Sequence, residues 1–88
     1  MIIKILKRDG RIEFFDKQKI ADAIFKAAQA CGGKNKELSM KLADLVVKAA
    51  EVKFVDKIPS VEDIQDLVEE VLINEGHAQT AKAYILYR

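Results

Sequence analysis

The sequence has little of what metal, redox and many enzyme sites require. Its single cysteine, Cys31, excludes an internal disulfide and a cysteine-rich zinc site. Its single histidine, His77, leaves no histidine–cysteine cluster for a metal ion. The four glycines form no glycine-rich phosphate loop. Since no nucleophile–base pair and no paired catalytic carboxylates can be identified either, we do not expect the chain itself to be an enzyme.

Long apolar segments are missing as well. No apolar run approaches the roughly 20 residues that a transmembrane helix needs. Lys4 and Lys7 interrupt the apolar N-terminus that a signal peptide would require. The 88 residues are half hydrophobic and one third charged, with a net charge of +1. This balance predicts a single globular domain without a membrane partner.

The first fifteen residues have the pattern of a β-hairpin. Apolar and charged residues alternate from Ile2 to Phe15 around Asp9-Gly10, a dipeptide that favours tight turns. A two-residue loop would pair Arg8 with Arg11. One face of the hairpin would then carry Ile3, Ile5, Ile12 and Phe14, with Lys7 at the tip. A bulged loop would shift the register by one residue and exchange the faces.

Four helices are predicted after the hairpin. The first begins at Asp16 as N-cap and ends at Gly32-Gly33, and the second runs from about Lys36 to Val52 or slightly further. Ser60, with Asp63 as capping-box partner, begins the third, which Gly76 closes. The fourth runs from about Ala78 to Tyr87 without a stop signal, which suggests a piece of a longer chain or a fraying terminus. The apolar stripes expected to be buried are Ile20, Ala23, Ile24, Ala27, Ala28 and Cys31; Leu38, Leu42, Leu45, Val46 and Ala49; Ile64, Leu67, Val68, Val71 and Leu72; and Ala78, Ala81, Tyr84 and Ile85.

The predicted fold class is therefore α+β. It is a four-helix bundle capped by an N-terminal β-hairpin. Phe54, Val55 and Ile58 precede Pro59 and favour extended structure, so the alternative is a three-stranded sheet that includes this segment.

Positive charge is concentrated at the N-terminus. The first nineteen residues carry a net charge of +3, and the remaining sixty-nine carry −2. The basic hairpin ends near Asp16 and Lys17, where the first helix begins and presents unpaired backbone N–H groups. Basic side chains beside a helix N-terminus suit a phosphate group. The alternative is that these cations only keep an edge hairpin from aggregating.

Three sequence blocks, taken together, resemble a known family. They are Lys7-Arg8-Asp9-Gly10-Arg11 with the following Glu13, Asp16 and Lys19; residues 61–69, with the sequence VEDIQDLVE; and residues 81–88, with the sequence AKAYILYR. In this order and spacing they resemble the ATP-cone, a regulatory module at the N-terminus of many ribonucleotide reductases. The resemblance covers essentially the whole chain, and the last block looks most like the anaerobic or adenosylcobalamin-dependent enzymes.

The resemblance implies a function that the composition alone does not. An ATP-cone binds ATP or dATP, accompanied by Mg²⁺, and regulates a cytoplasmic ribonucleotide reductase, usually by changing its oligomeric state. The implied partners are adenine nucleotides, the catalytic domain or subunit of the reductase, and further copies of the chain. Similar modules occur in a transcriptional repressor of reductase genes, behind a four-cysteine zinc ribbon that this chain lacks, and in some small kinases.

The resemblance also implies roles for individual residues. Lys7, Arg8 and Lys19 match basic residues that hold the triphosphate. Ile5 matches an apolar residue under the base, and Glu13 and Asp16 match the pair near the adenine. Val61 and Gln65 match positions at the start of the third helix, where a backbone contact and a polar side chain face the ligand. Ile85 and Arg88 lie in the region of the last helix that closes the pocket.

Structural roles remain open for these residues. Glu13 could pair only with Arg11 or Lys4, Asp16 could act only as a helix cap, and Ile5 and Ile85 could be core residues. Tyr84 and Tyr87 could stack on a base or pack internally. For the whole chain, one alternative is a nucleic-acid binder that uses the basic hairpin. The modest charge and the lack of a basic recognition helix count against it. The other is an interaction domain that keeps the fold and has lost the ligand.

Overall fold

Two short strands and four helices make up the protein. The computed structural model describes residues 4–88. The elements are β1 (Lys4–Leu6), β2 (Ile12–Phe14), α1 (Lys17–Ala30), α2 (Lys36–Lys53), α3 (Val61–Asn74) and α4 (Ala78–Tyr87). The predicted α+β class, a four-helix bundle with an N-terminal hairpin, is confirmed. The predicted strand residues Ile2 and Ile3 lie outside the described residues.

The four helices pack around one apolar core. α1 and α3 each contact both α2 and α4. Apolar residues three and four positions apart on each helix point inward, as the sequence periodicity predicts. None of the helices within residues 4–88 combines the length and apolar character needed to cross a bilayer. The buried apolar residues are Ile20, Ala21, Ile24, Ala27, Leu42, Ala43, Val46, Ala50, Ile64, Leu67, Val68, Leu72, Ala81 and Tyr84.

Five predicted core positions are wrong. Cys31 is exposed because α1 ends at Ala30 and the cysteine lies at the C-cap. The other four exposed positions are Leu38, Leu45, Ala78 and Ile85. On α2 the small residues Ala43 and Ala50 occupy the buried positions beside Leu42 and Val46.

The predicted N-caps and the predicted glycines at the helix C-termini are confirmed. Asp16 caps α1 through a hydrogen bond from the Gln18 backbone N–H, and Ser60 and Asp63 form a reciprocal capping box on α3. α1 ends with backbone bonds from Gly32 to Gln29 and from Gly33 to Ala28. α3 ends with the same two-bond pattern, in which Gly76 adopts a φ of 85°. A positive φ at this position is what glycine supplies cheaply.

The hairpin has the bulged register rather than the two-residue loop. Leu6 pairs with Ile12 and Ile5 with Glu13, and the Lys7 N–H donates to the Arg11 carbonyl. The loop therefore contains three residues, closed by a turn whose last residue, Gly10, has a φ of 90°. Within this loop, the backbone N–H and the side chain of Arg11 both donate hydrogen bonds to the Asp9 carboxylate. These hydrogen bonds lower the pKa of Asp9.

The shift in register exchanges the faces of β2. Ile12 and Phe14, predicted to share the inner face with Ile5, point outward, and Phe14 is 80% exposed. Glu13 takes the inner face beside Ile5, where it is half-buried. Consequently, the face of the hairpin that meets the helices combines apolar and acidic side chains.

The three-stranded alternative does not form. α2 continues to Lys53, and Phe54 donates its N–H to the Ala50 carbonyl, so the chain turns where an extended segment was considered. One parallel bridge remains, in which the Leu6 N–H donates to the Pro59 carbonyl at 2.9 Å. This bridge fastens β1 to the start of α3. The hairpin thus lies beside the N-termini of both α1 and α3.

Candidate functional site

A small cavity lies between the hairpin and the bundle. We call it the hairpin cavity; its volume is about 160 Å³. Strand, helix-start and core residues contribute to its wall, which mixes apolar side chains with two lysines and two carboxylates. The lining residues are Ile5, Lys7, Glu13, Phe14, Phe15, Asp16, Lys19, Ile20, Ala23, Val61, Ile64, Gln65 and Tyr84.

A wider cavity adjoins the first. We call it the arginine cavity; its volume is about 590 Å³, and it shares Lys7, Val61 and Gln65 with the hairpin cavity. Its other lining residues are Arg8, Asp9, Arg11, Tyr87 and Arg88. The two cavities therefore form a continuous surface, with most of the apolar side chains in the hairpin cavity and the three arginines in the arginine cavity.

Two cations on this surface are not neutralised by the protein. Lys7 at the end of β1 and Lys19 in the first turn of α1 form no ion pair with any carboxylate of residues 4–88. Lys19 also lies at the positive end of the α1 dipole, which disfavours a cation. An anionic ligand would relieve both conditions, because it would neutralise the lysines and complement the helix terminus.

Arg8 is paired, in contrast. Its Nε donates to Glu62 Oε1 at 2.6 Å, and its Nη2 lies 3.4 Å from Gln65 Oε1. The partners lie in the first turns of α3, so this arginine links the tip of the hairpin to the bundle. Both side chains of the ion pair are about half exposed or more, and such pairs contribute only about 0–1 kcal/mol. A ligand can therefore replace Glu62 at small cost.

Arg88 is held more firmly than Arg8. Its Nη1 contacts Glu69 and lies 3.1 Å from Asp66 Oδ1, and its side chain is only 20% exposed. Desolvation opposes the charged form, but the hydrogen bonds that the guanidinium donates to Glu69 and Asp66 outweigh it and raise the pKa of Arg88. The end of α4 is thereby fastened to α3 on the wall of the arginine cavity.

The two carboxylates of the hairpin cavity, Glu13 and Asp16, both have a partner within the protein. Glu13 receives a contact from Arg11 Nη1 at 3.1 Å, which is the surface pairing anticipated as its structural role, and it also lines the cavity. Asp16 caps α1 with one oxygen, Oδ1, at 3.0 Å from the Gln18 nitrogen and lines the cavity as well. Capping orients the Asp16 side chain at the cavity wall.

Nine of the ten site residues expected from the sequence lie around the two cavities. Ile5, Lys7, Glu13, Asp16, Lys19, Val61 and Gln65 line the hairpin cavity, and Arg8 and Arg88 line the arginine cavity. Ile85 lines neither cavity and is 49% exposed. Its neighbour on α4, Tyr84, lines the hairpin cavity.

The site predicted from the sequence does not include every residue of the walls. Phe15 closes the hairpin cavity, and Arg11 lines the arginine cavity. Their placement follows from the bulged register, which the Asp9-Gly10 turn alone does not determine. Ala23, expected only as a core residue, leaves space at the cavity wall because its side chain is a single methyl group.

A third cavity lies at the other end of the bundle. We call it the opposite-end cavity; its volume is about 400 Å³, and it lies where α1 and α3 end and α2 and α4 begin. Its lining includes Cys31, Lys34 and His77. Within residues 4–88, no group of three histidine, cysteine, aspartate or glutamate side chains is arranged to hold a metal ion, here or elsewhere.

Comparison with known proteins identifies the family of this chain. Residues 3–88 match the family described as ATP cone domain. The chain belongs to the ATP-cone family. The predicted resemblance is therefore confirmed, and it extends over nearly the entire sequence.

The curated relatives of this ATP-cone include ribonucleotide reductases of several kinds. It is 44% identical over 93 residues to the vitamin B12-dependent ribonucleoside-diphosphate reductase of Thermoplasma acidophilum, covering 100% of this chain and 12% of the relative. It is 34% identical to a ribonucleoside-diphosphate reductase subunit alpha of Chlamydia pneumoniae (99% and 9%). It is 33% identical to the anaerobic ribonucleoside-triphosphate reductase of Salmonella typhimurium (96% and 11%). The chain thus spans about a tenth of the length of these relatives.

Proposed function

We propose that this ATP-cone binds ATP and dATP as allosteric ligands and regulates a ribonucleotide reductase. The observation that carries the proposal is the pair of unneutralised lysines, Lys7 and Lys19, on a surface that also has an apolar cavity beside it. A nucleotide matches both features, because it has an aromatic base and anionic phosphates.

The base of the nucleotide would occupy the hairpin cavity. Ile5 and Ile20 would offer apolar contact there, and Glu13 lines the same cavity. A carboxylate accepts a hydrogen bond from the exocyclic amino group of adenine, which guanine replaces with a carbonyl oxygen. Glu13 would thus favour adenine over guanine, with Asp16 as a second acceptor beside it.

The triphosphate would extend into the arginine cavity. Lys7 lines both cavities and Lys19 lines the hairpin cavity, so the phosphates nearest the nucleoside would lie at these two lysines. Arg8 would exchange Glu62 for a phosphate oxygen, and charge-assisted contacts of this kind are the stronger class of hydrogen bond. Val61, the first residue of α3, would offer its backbone N–H, which has no partner within the helix.

Magnesium would enter with the triphosphate. Mg²⁺ commonly binds through substrate phosphates and water, with few protein carboxylates. Because residues 4–88 contain no three-ligand cluster, the phosphate oxygens and water would supply most of its ligands.

The regulatory output would be a change in oligomeric assembly of the cytoplasmic reductase. ATP and dATP differ in one hydroxyl group, so the two must make different contacts for the assembly to respond to one of them. The expected partners are the catalytic part of the reductase and other copies of the domain.

Isothermal titration with ATP and with dATP, in the presence of Mg²⁺, tests nucleotide binding. We expect dissociation constants tighter than about 1 mM, which corresponds to roughly −4 kcal/mol. If neither nucleotide binds at that level, the chain is an interaction domain that keeps the fold without the ligand. Binding to DNA that weakens steeply with salt would instead support the nucleic-acid alternative.

A further inference from the structure

Tyr84 combines deep burial with a place on the wall of the hairpin cavity. It belongs to the inward face of α4 and is only 5% exposed. It lines the hairpin cavity but not the arginine cavity. Nothing in the family resemblance assigns it a contact with the ligand, and packing alone would be served equally well by phenylalanine.

The hydroxyl group of Tyr84 makes no hydrogen bond to another group among residues 4–88. Buried tyrosine hydroxyls usually have such a partner. Yet no side-chain oxygen or nitrogen in that range is both sealed from solvent and without a partner. The Tyr84 oxygen is therefore not sealed from solvent, and the cavity that Tyr84 lines is the hairpin cavity.

We propose that the Tyr84 hydroxyl hydrogen-bonds the nucleoside half of the bound nucleotide. This inference rests on the proposed function. The nucleoside, rather than the phosphates, is the partner because Tyr84 lines the smaller cavity together with Ile5 and Ile64 and does not line the arginine cavity. Burial also raises the pKa of Tyr84 to about 12, so the phenol is a neutral hydrogen-bond donor at physiological pH.

The test compares the wild-type protein with Tyr84→Phe, which removes one oxygen and keeps the ring. Titrations with ATP, dATP and inorganic tripolyphosphate are measured by calorimetry. We expect Tyr84→Phe to bind ATP about threefold to tenfold more weakly, the effect of one net hydrogen bond. The affinity for tripolyphosphate should not change, since that ligand has no nucleoside. A loss for ATP alone would place the contact at the 2′-hydroxyl, and an equal loss for dATP would place it on the shared part of the nucleoside.

Two results would overturn the inference. One is an unchanged affinity of Tyr84→Phe for both nucleotides. The other is an equal loss for tripolyphosphate, because that would indicate a general disturbance of the site. Failure of the wild-type protein to bind any nucleotide is a different result, which would contradict the proposed function itself. Thermal melting of both proteins without ligand checks that the substitution leaves the fold intact.

Discussion

The two ends of the bundle both have cavities, but they differ in charge. The opposite-end cavity, at about 400 Å³, is intermediate in volume between the hairpin cavity, at about 160 Å³, and the arginine cavity, at about 590 Å³. Its lining contains one lysine, Lys34, whereas the hairpin and arginine cavities together contain two lysines and three arginines. Helices begin at both ends. The distinguishing property is therefore the larger number of cationic side chains beside an apolar recess, and the predictions below test that distinction.

The largest expected effect is the loss of nucleotide affinity when a free cation of the hairpin end is removed. Lys7→Ala and Lys19→Ala should each weaken ATP binding about tenfold to a hundredfold, because hydrogen bonds to charged groups contribute about 1.5–3 kcal/mol. Lys34→Ala is the matched control, since it removes the same charge at the opposite-end cavity. Calorimetric titration measures all three variants. Equal losses in all three would mean that net charge, and not position, governs binding.

A second prediction concerns stability at alkaline pH, which depends on the buried phenol of Tyr84 at the hairpin cavity. The folded-state pKa of about 12 lies above the ordinary value of about 10. Folding therefore favours the protonated phenol, and this contribution is complete below pH 10 and is lost as the pH rises from 10 to 12. At pH 11 the loss should be about 1.4 kcal/mol.

Urea unfolding at pH 8 and pH 11 measures that loss. The decrease in unfolding free energy should be larger for the wild-type protein than for Tyr84→Phe, which has no phenol to ionise. The same decrease in both proteins would show that other groups cause the alkaline instability.

A third prediction concerns the ion pair that holds Arg8. Glu62→Gln should strengthen ATP binding by up to about fivefold, because the phosphate no longer competes with a carboxylate for Arg8. Glu75→Gln, at the far end of α3, is the control for the change in net charge. Weaker binding by Glu62→Gln than by the control would mean that Glu62 orients Arg8 for the ligand instead of competing with it.

The smallest expected effect is that of Ile85. Its side chain is about half exposed and lines neither cavity at the hairpin end. Ile85→Ala should therefore bind ATP within about twofold of the wild-type protein, the range of ordinary surface substitutions. A larger loss by calorimetry would restore the role that the family resemblance implies for this position.

Much of the fold can be predicted from the sequence because its signals are local. Asp16, Ser60 and Asp63 mark the starts of helices through their own hydrogen bonds, and Gly32 and Gly76 mark the ends through their backbone conformation. The hairpin register is different, since Asp9-Gly10 is compatible with a two-residue loop and with a three-residue loop. The choice depends on which side chains meet the helices.

Part of the candidate site could be predicted from the family pattern. That pattern indicates Lys7, Glu13 and Lys19, and all three line one cavity in the structure. The pairing of Arg8 with Glu62 joins residues 54 positions apart, and no local pattern indicates it. Nor does the spacing of apolar residues on α4 show whether Tyr84 or Ile85 lines the cavity. The rotation of α4 about its axis decides this, and packing against the other helices sets that rotation.

The most direct test of the central claim is to map the ATP site by NMR. In ¹⁵N-labelled wild-type protein titrated with ATP and Mg²⁺, the largest amide shifts should fall in residues 5–19 and 61–65, at the hairpin end. Inorganic tripolyphosphate should shift Lys7, Arg8 and Lys19 most. If the shifts instead fall in residues 31–39 and 76–80, around the opposite-end cavity, the account is contradicted.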